Sequence, residues 1–322
     1  MVLLGFDIGG TKCSVILACE EKGLFNIIRK EKISTDLSVA PEKMIEKLID
    51  IADNMIEGKK IISIGISCGG PLDSKNGIIM SPPNLPGWDN VEIVKQIEEH
   101  YKVPTKLQND ANACAVAEWK FGAGKGYNNV VFLTFGTGLG AGLIIDGKLY
   151  SGANDNAGEV GHIRLDNFGP VGYGKSGSFE GFCSGGGIAQ LGYIKALEKA
   201  QMGEYPMYFK KGYTADDVNA KTIADAADNG DKTAIEVYEI CGEYLGKGLS
   251  VLIDVLNPEL IVIGSIFARS HNLLWEPAKR VIEKEALSIS ANCCKVVPAV
   301  LGEQIGDYAA IATALLWGEK LC

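Results

Sequence analysis

The sequence lacks an excess of positive charge and any long apolar run, and each absence excludes a class of protein. Its net charge is −9, so it does not have the basic character of a nucleic-acid-binding protein. No apolar run approaches the roughly 18 residues that a membrane-spanning helix needs. The N-terminus also has no charged segment followed by a long apolar one. We therefore expect neither a nucleic-acid partner, nor a membrane partner, nor a secretory signal.

The cysteines lack the pattern of a metal site or a disulfide framework. No two of them have CxxC spacing, which argues against a thiolate zinc cluster. An odd, irregular set predicts reduced thiols that fill small core positions, and hence a cytoplasmic protein. The nine are Cys13, Cys19, Cys68, Cys114, Cys183, Cys241, Cys293, Cys294 and Cys322.

Apolar residues, by contrast, are abundant and are spaced for an α/β protein. The chain has 322 residues, 47% of them hydrophobic, which is enough for one large or two medium domains. Long helical patterns alternate with short apolar strands, as in α/β folds. Helices are predicted over 40–58, 91–101 and 109–122, and strands over 60–67 and 259–265.

Two glycine-rich turns each follow a buried strand. In GFDIGGTK (5–12) the turn lets backbone N–H groups approach a ligand closely, and such groups form a nest for phosphate. A tight hairpin without a ligand is the plain alternative. LTFGTGLGAG (133–142) repeats the order of strand, glycine turn and strand. The repeat predicts a duplicated actin-like, ribonuclease-H-like α/β fold with two lobes around a cleft. The predicted lobes are 1–112 with 305–322, and 113–304.

Two other glycine motifs are rejected on their context. Gly136, Gly138 and Ala141 fit the dinucleotide fingerprint, but that fingerprint needs a helix directly after the glycines. An Asp-Gly pair at 146–147 predicts a hairpin there instead. GAGKG (122–126) lacks the Ser or Thr that follows the lysine of a P-loop, so we expect a helix end and a loop.

Six motifs follow one another in the order that is typical of the ROK family. They are GFDIGGTK (5–12), GGPLD (69–73), SPPNLPGW (81–88), NDANACA (109–115), LTFGTGLGAG (133–142) and GEVGH (158–162). From residue 4 to about residue 312 the sequence resembles this family of sugar kinases and repressors. The motifs occur together and in order, so the resemblance is far more specific than any one of them.

The resemblance implies ATP and Mg2+ as cofactors, a sugar as the substrate, and a homodimer. Asp110 matches the catalytic base of the family. The sugar-binding positions correspond to Asn84, Asn109, Asp110, Glu159, His162 and Glu180. The ATP-binding positions correspond to Asp7, Gly9, Gly10, Thr11, Lys12, Gly136, Thr137, Gly138 and Gly264, with Asp7 near the magnesium and Gly264 at the adenosine contact.

The residues themselves support the role of Asp110. Phosphoryl transfer to an alcohol needs a carboxylate within hydrogen-bond reach of the hydroxyl group. Asp110 stands at a predicted helix start, where a simple capping aspartate is the alternative and is favoured for the residue taken alone. Asn109 beside it, together with the surrounding motifs of the family resemblance, favours the catalytic interpretation. Glu159 and His162 are three residues apart, so one helical turn would place both on one face.

One motif departs from the family pattern. Zinc-bearing members carry CxCGxxGCxE, where this chain has VGYGKSGSFE (171–180). The three cysteine positions hold Val171, Tyr173 and Ser178. We therefore expect no structural zinc, since one histidine cannot hold the metal alone. The glycines of the loop and the packing of Tyr173, Phe179 and Phe182 would hold its path, and a hydrogen bond would orient His162 in place of the metal.

The function that these residues and the resemblance together imply is ATP- and Mg2+-dependent phosphorylation of the 6-hydroxyl group of glucose or a related hexose. N-acetylmannosamine kinase, β-glucoside kinase and a non-catalytic sugar sensor are the alternatives. A repressor with a preceding DNA-binding helix-turn-helix is not expected, because the phosphate turn begins at residue 5. The stretch 196–220 is predicted to be a solvated loop, or else a segment that shapes the substrate site or a dimer contact.

Overall fold

The computed structural model describes residues 1–316 and divides them into two compact units. The first unit comprises Met1–Gly126, Leu149–Ala157 and 301–316, and the second comprises Tyr127–Lys148 and Gly158–Val300. The sequence placed the lobe boundaries at 112/113 and 304/305. In the structure the whole helix Asp110–Phe121 belongs to the first unit, because it packs against the helix Ile305–Leu315 of that unit.

The strands are numbered in chain order. They are β1 (Val2–Ile8), β2 (Lys12–Glu21), β3 (Leu24–Ser34), β4 (Ile61–Cys68), β5 (Leu72–Asp73), β6 (Ile78–Ile79), β7 (Thr105–Asn109), β8 (Val130–Phe135), β9 (Leu139–Ile145), β10 (Lys148–Tyr150), β11 (Val171–Gly172), β12 (Lys175–Ser176), β13 (Leu260–Ile263) and β14 (Lys295–Pro298).

The helices are numbered in the same way. They are α1 (Pro41–Ile56), α2 (Ile93–Tyr101), α3 (Asp110–Phe121), α4 (Phe179–Phe182), α5 (Gly185–Gln201), α6 (Ala220–Asp228), α7 (Lys232–Leu256), α8 (Ile266–Arg269), α9 (His271–Glu285), α10 (Ser288–Cys293) and α11 (Ile305–Leu315). Single 3-10 turns occur at Val160–His162, Ala215–Asp217 and Gly302–Gln304.

The first unit is built on a five-stranded sheet in the order β3-β2-β1-β4-β7. Its first three strands are antiparallel, and β4 and β7 run parallel to β1. Because side chains alternate along a strand, Leu4 and Phe6 join the core that α1 and α2 cover, while Leu3 joins the core under α11. Both faces of the sheet are therefore buried, and the strand ends carry the exposed turns.

Helix α11 lies unusually close to the sheet. A Cβ atom on Gly5 would lie 2.9 Å from the Cβ of Ala310, and one on Gly65 would overlap the Ala310 carbonyl oxygen. Glycine is therefore required at both positions for this packing. The close approach brings the start of α11 beside the end of β1, where the first glycine turn begins.

The second unit repeats this arrangement. Its sheet has the order β10-β9-β8-β13-β14, with β8 and β9 antiparallel and with β13 and β14 parallel to β8. The strands thus correspond one to one with those of the first unit, and the duplication predicted from the two glycine turns is confirmed. The long helix α7 packs on α9, and its glycines at 242 and 246 allow that helix to approach.

Most of the predicted local structure is also found. Asn109 caps α3 by accepting hydrogen bonds from the amides of Ala111 and Asn112, at 2.9 and 3.4 Å. The glycines at 136–138 join two antiparallel strands, so the rejection of a dinucleotide fingerprint is confirmed. Residues 122–126 end a helix, as expected. Within residues 1–316, no helix combines the length and the apolar character that crossing a bilayer requires.

Candidate active site

The first glycine turn joins β1 and β2, and hydrogen bonds within the protein hold it in place. The Gly9 amide donates to the Lys12 carbonyl oxygen at 3.1 Å, and the Thr35 hydroxyl donates to the Gly9 carbonyl oxygen at 2.6 Å. Thr11 and Lys12 are exposed on the outer side. The turn therefore presents backbone and a lysine to solvent, as an anion-binding nest requires.

Asn84 packs directly on this turn. A Cβ atom on Gly10 would overlap the Asn84 carbonyl oxygen, and one on Gly69 would lie 3.4 Å from the Asn84 side-chain amide. Gly10 is therefore required for the contact with Asn84, whether or not a phosphate binds. The loop 81–88 is fixed further by Ser81, whose hydroxyl donates to Asp89.

Asn109 and Asp110 lie where β7 ends and α3 begins. One carboxylate oxygen of Asp110 accepts a hydrogen bond from the Ala111 amide at 2.7 Å, yet the side chain remains exposed. A Cβ atom on Gly70 would lie 3.1 Å from the Asn109 side-chain nitrogen, so the turn at 69–70 borders the pair. Desolvation raises the pKa of Asp110, while hydrogen bonds from backbone amides oppose that rise. A raised pKa makes the carboxylate a stronger base.

Asp7, at the end of β1, belongs to a charged cluster. Desolvation raises its pKa to about 6, and the nearby carboxylates of Asp307 and Asp110 act in the same direction. Lys30 and Lys32 oppose the rise. Lys30 donates to the buried Asp307 at 2.5 Å. A half-buried carboxylate with a raised pKa is a group whose charge a cation would stabilise.

In the second unit the glycine turn lies between β8 and β9 and is contacted by Glu180. The Leu139 amide donates to Glu180 Oε2 at 2.9 Å. A Cβ atom on Gly138 would lie 2.7 Å from the same oxygen, so glycine is required there. Thr137 is exposed at the tip of the turn. Glu180, which is a predicted sugar-binding residue, is therefore in direct contact with a predicted phosphate-binding turn.

Helix α5 begins at this turn, which the sequence analysis did not predict. The Gly185 amide donates to the Gly136 carbonyl oxygen at 2.8 Å, and Ser184 caps the helix by accepting from the Gly187 amide at 3.0 Å. The N-terminus of a helix carries unpaired amides and a partial positive charge, and it favours anions. The turn and the start of α5 therefore place backbone N–H groups from two elements side by side, an arrangement that can bind an anion, and we call it the candidate anion site.

A cavity of about 640 Å³ opens beside the candidate anion site, within the second unit. Its size suits a ligand of the size of a nucleoside. Ser265 lines it with a backbone φ of 55°, a strained value for a residue with a side chain. The preceding residue, Gly264, directly follows β13 and lies against the Phe132 ring. Other lining residues are Gly136, Thr137, Gly185, Gly186, Asn219, Lys221, Asp225, Tyr238 and Arg269.

The stretch 196–220 contributes to this cavity. Tyr208 and Phe209 are buried, and the Tyr208 hydroxyl donates to the Gly192 carbonyl oxygen at 2.9 Å, so the prediction of a solvated loop is wrong for these residues. Packing on α5 holds the segment in place. Asn219, at its end, lines the cavity, which favours the alternative that the segment shapes a binding site.

Glu159 and His162 flank a 3-10 turn. The His162 amide donates to the Glu159 carbonyl oxygen at 3.2 Å. The turn itself is Val160–His162, with Glu159 at its N-cap, and both residues are exposed. That their side chains share one face stays a prediction. Gly161, between them, packs on Glu180: a Cβ atom there would lie 3.2 Å from the Glu180 Cβ.

The loop after His162 is a short hairpin of β11 and β12. Phe179 and Phe182 are buried, as expected, but Tyr173 is 81% exposed, so the prediction that its packing holds the loop is wrong. The reason is its place in the turn between the two strands, which points it away from the core. Cys183 is buried and donates to the Cys241 carbonyl oxygen. Among residues 1–316, no three His, Cys, Asp or Glu side chains are grouped as metal ligands.

Each unit thus gathers its own share of the predicted residues. The first brings together Asp7, Gly9, Gly10, Asn84, Asn109 and Asp110. The second brings together Gly136, Gly138, Glu159, His162 and Glu180. Sequence reasoning missed Lys30, Asp307 and the cavity residues. The run SGGG at 184–187, a capping serine before glycines and a helix, was a usable signal for the candidate anion site.

Two α/β units with one strand order, each with a glycine turn between its first two long strands, define a protein of the actin-like, ribonuclease-H-like class. Comparison with known proteins narrows the class. The model of the ROK family matches residues 3–317, and the chain belongs to that family.

Its relatives include both kinases and repressors. A glucokinase of Thermotoga maritima is 29% identical over 318 residues, which cover 98% of this chain and 93% of the glucokinase. A xylose repressor of Caldicellulosiruptor bescii is 29% identical over 290 residues, covering 88% of this chain and 70% of the repressor. The crystal structure of a ROK glucokinase from Streptomyces griseus, in complex with glucose and AMPPNP, superimposes with a TM-score of 0.74 at 28% identity, covering 98% of this chain and 99% of that one.

Proposed function

We propose that this protein is an enzyme that transfers the γ-phosphoryl group of ATP to a sugar hydroxyl group, with the 6-hydroxyl of glucose or a related hexose as the substrate. The observation that carries the proposal is the position of Asp110, a solvent-accessible residue whose pKa is raised by desolvation, beside the amide side chain of Asn109 at the start of α3. Similarity to glucokinases over nearly the whole chain supports the reaction class.

In the proposed reaction Asp110 acts as the general base. Its carboxylate takes the proton of the sugar hydroxyl as the oxygen forms a bond to the γ-phosphorus, and the bond from that phosphorus to the bridging oxygen breaks. The products are a sugar phosphate, ADP and protonated Asp110, which then loses its proton to water. The hydrogen bond from the Ala111 amide keeps the carboxylate oriented at the helix start.

Sugar hydroxyl groups would be bound by the amides, acids and histidine that the family pattern assigns. These are Asn84, Asn109, Asp110, Glu159, His162 and Glu180. Fixed acids and amides suit this task, because each can accept or donate hydrogen bonds in a set direction. The contacts of Asn84 with Gly10 and of Glu180 with the Leu139 amide hold two of these side chains in place.

The residues present fit ATP. The turn at 136–138 and the Gly186 amide at the start of α5 would bind phosphate groups, and the adjoining cavity would take the nucleoside near Gly264 and Ser265. The turn at 9–12, with Lys12 exposed, would bind phosphate as well. We place the exposed Thr11 and Thr137 among these contacts.

Asp7 fits Mg2+, since its carboxylate is destabilised by burial and by two neighbouring carboxylates, and a divalent cation would relieve that cost. When bound, Mg2+ neutralises charge on the transferred phosphoryl group. Asp7 would hold the ion, and Lys30 would keep Asp307 paired and turned toward itself.

Three alternatives share much of this site: N-acetylmannosamine kinase, β-glucoside kinase and a non-catalytic sugar sensor. The similarity to xylose repressors is the reason for retaining the non-catalytic sensor as an alternative. A panel of hexoses, N-acetylmannosamine and β-glucosides, assayed by coupled ADP release and by calorimetric binding, separates them. Turnover on glucose supports the proposal, turnover on another sugar alone selects that kinase, and binding without any turnover selects the sensor.

The variant Asp110→Asn tests the base. We expect kcat to fall about 10²- to 10⁴-fold, because an amide cannot take the proton. Sugar binding measured by calorimetry should be retained within a few-fold. The matched control is Asp50→Asn, an exposed aspartate on α1, which should leave kcat unchanged. An Asp110→Asn protein as active as the wild type would refute the assignment.

We also propose that the enzyme works in the cytoplasm as a homodimer. The buried free thiols of Cys13, Cys68, Cys183 and Cys241 support a reducing compartment. The resemblance to ROK kinases supports the dimer. Light scattering of the purified protein tests the latter, since a single monomeric mass at micromolar concentration would contradict it.

A further inference from the structure

We propose that the hairpin of β11 and β12 is the element that positions His162 for sugar binding, with Tyr173 holding the imidazole ring and Lys175 holding the backbone. The inference rests on the proposed role of His162 in the sugar site. Tyr173 and Lys175 are positioning residues here: they act through His162.

Tyr173 occupies a backbone position that its side chain disfavours. The strands pair Gly172 with Lys175, which leaves Tyr173 and Gly174 as a two-residue turn with φ values of 44° and 75°. Such a turn favours Asn, Asp or Gly at its first position, because a Cβ atom strains the left-handed region. A strained residue kept where a simpler one would fit points to a role of its side chain.

Burial does not compensate for this strain. The Tyr173 side chain is 81% exposed, so it gains little from the hydrophobic effect. The Tyr173 ring instead contacts the imidazole of His162: the ring centroids are 6.3 Å apart and the planes lie at 73°. This is the edge-to-face geometry that aromatic pairs favour, and such a contact favours one orientation of the imidazole ring.

Lys175 fixes the other end of the histidine. Its ammonium group donates to the His162 carbonyl oxygen at 2.6 Å. The hairpin itself is anchored, since Arg164 donates to the Ser176 carbonyl oxygen at 2.7 Å and the Ser176 hydroxyl donates to the Gly169 carbonyl oxygen at 3.0 Å. The ring and the backbone of His162 therefore both contact the hairpin of β11 and β12, which is itself held in place by hydrogen bonds.

The hairpin also packs on the residue that the sugar site shares with the glycine turn. A Cβ atom on Gly172 would lie 2.8 Å from the Cβ of Glu180. Ser178, which follows β12, caps α4 by accepting from the Gly181 amide at 3.0 Å and so sets the direction of Glu180. A shift of the hairpin would therefore change the positions of both His162 and Glu180.

The test replaces Tyr173 by Asn, which suits the turn. Since an aromatic pair contributes about 0.5–1.5 kcal/mol, we expect KM for the sugar to rise about two- to tenfold. The values of kcat and of KM for ATP should stay within a factor of two. The thermal midpoint should stay equal or rise, because the strain at φ 44° is relieved. Tyr173→Phe keeps the ring and should restore the wild-type KM.

Lys175→Met tests the backbone contact and should raise the sugar KM in the same direction. The matched control is Phe168→Asn, which removes an aromatic ring that is 83% exposed near the same hairpin and should change none of these values. A second readout is the imidazole NMR spectrum. The protein has only three histidines, and His162→Gln assigns the signal of interest, which should move in Tyr173→Asn and return in Tyr173→Phe.

The outcomes distinguish this inference from the proposed function. If the wild type phosphorylates a sugar but Tyr173→Asn leaves both the sugar KM and the His162 signal unchanged, the positioning role is refuted and the kinase stands. If the wild type shows no turnover with any sugar, the kinase proposal fails. A Tyr173-dependent sugar affinity and His162 signal would then still support the positioning role.

Discussion

Asp7→Asn should make the metal-free protein more stable at neutral and alkaline pH. Burial and the neighbouring carboxylates raise the pKa of Asp7 to about 6, from 3.8 in the unfolded chain. The folded protein thus holds the Asp7 proton more tightly than the unfolded one. Stability is full below pH 3.8 and is lost as the pH rises through 6, because the ionised carboxylate is disfavoured in the fold. An amide has no such charge.

The magnitude follows from this pKa shift. At pH 8 the ionised Asp7 costs about 3 kcal/mol of unfolding free energy, and at pH 4.5 the cost is about 1 kcal/mol. The stability gained by Asp7→Asn should therefore be about 2 kcal/mol larger at pH 8 than at pH 4.5. We predict only the difference between the gains at pH 8 and pH 4.5. Any change in hydrogen bonding that the new amide causes affects the unfolding free energy equally at both pH values and cancels.

Urea unfolding of both proteins at pH 4.5, 6 and 8 in the presence of EDTA measures this difference. The control is Asp36→Asn, which removes an exposed carboxylate whose pKa is lowered by hydrogen bonds from Ser38 and which should bring no gain at pH 8. An Asp7→Asn gain that is equal at pH 4.5 and pH 8, or a loss at pH 8, would refute the reasoning. Activity should be lost in Asp7→Asn, so stability and function oppose each other here.

Two further substitutions test contacts of the first unit. Gly10→Ala should destabilise the protein by about 1–3 kcal/mol in urea unfolding and raise the sugar KM, because the added methyl group overlaps the Asn84 carbonyl oxygen; Gly186→Ala, whose methyl group meets nothing closer than 3.9 Å, is the stability control. Glu118→Ala should cost about 2–5 kcal/mol, because this fully buried carboxylate accepts from the amides of Ala123 and Leu301 at 2.8 and 2.9 Å. A change in unfolding free energy below 0.5 kcal/mol, roughly the effect of a neutral surface substitution, would contradict either account.

Features set by neighbouring residues were predictable from the sequence. The apolar run before Gly9 and the glycines after it specify a strand and a turn locally. Asn109 and Asp110 before an apolar helical pattern specify a capped helix start. The duplicated strand order followed from two copies of the same local pattern. These predictions needed no knowledge of which distant segments meet.

Features set by distant residues were not predictable. Lys30 and Asp307 form an ion pair beside Asp7 although they are far apart in the sequence, and nothing near either residue indicates the other. The cavity is lined from α5, α6 and α8, whose facing sides only the fold determines. The prediction that the Tyr173 side chain is packed was wrong for a different reason. Aromatic residues are usually buried, but the position of Tyr173 in a two-residue turn with positive φ overrides that tendency.

The two units share a contact that the strand order alone does not require. In the first, the Asn84 backbone packs where a side chain on Gly10 would lie, and in the second the Glu180 carboxylate packs where a side chain on Gly138 would lie. Each glycine turn is thus in direct contact with a residue proposed to bind sugar. A sugar hydroxyl that forms a hydrogen bond with the Glu180 carboxylate also changes the hydrogen bond that this carboxylate accepts from the Leu139 amide. Sugar and nucleotide affinities should therefore be coupled through Glu180, reciprocally and by the same factor, because the coupling is a free energy that both ligands share.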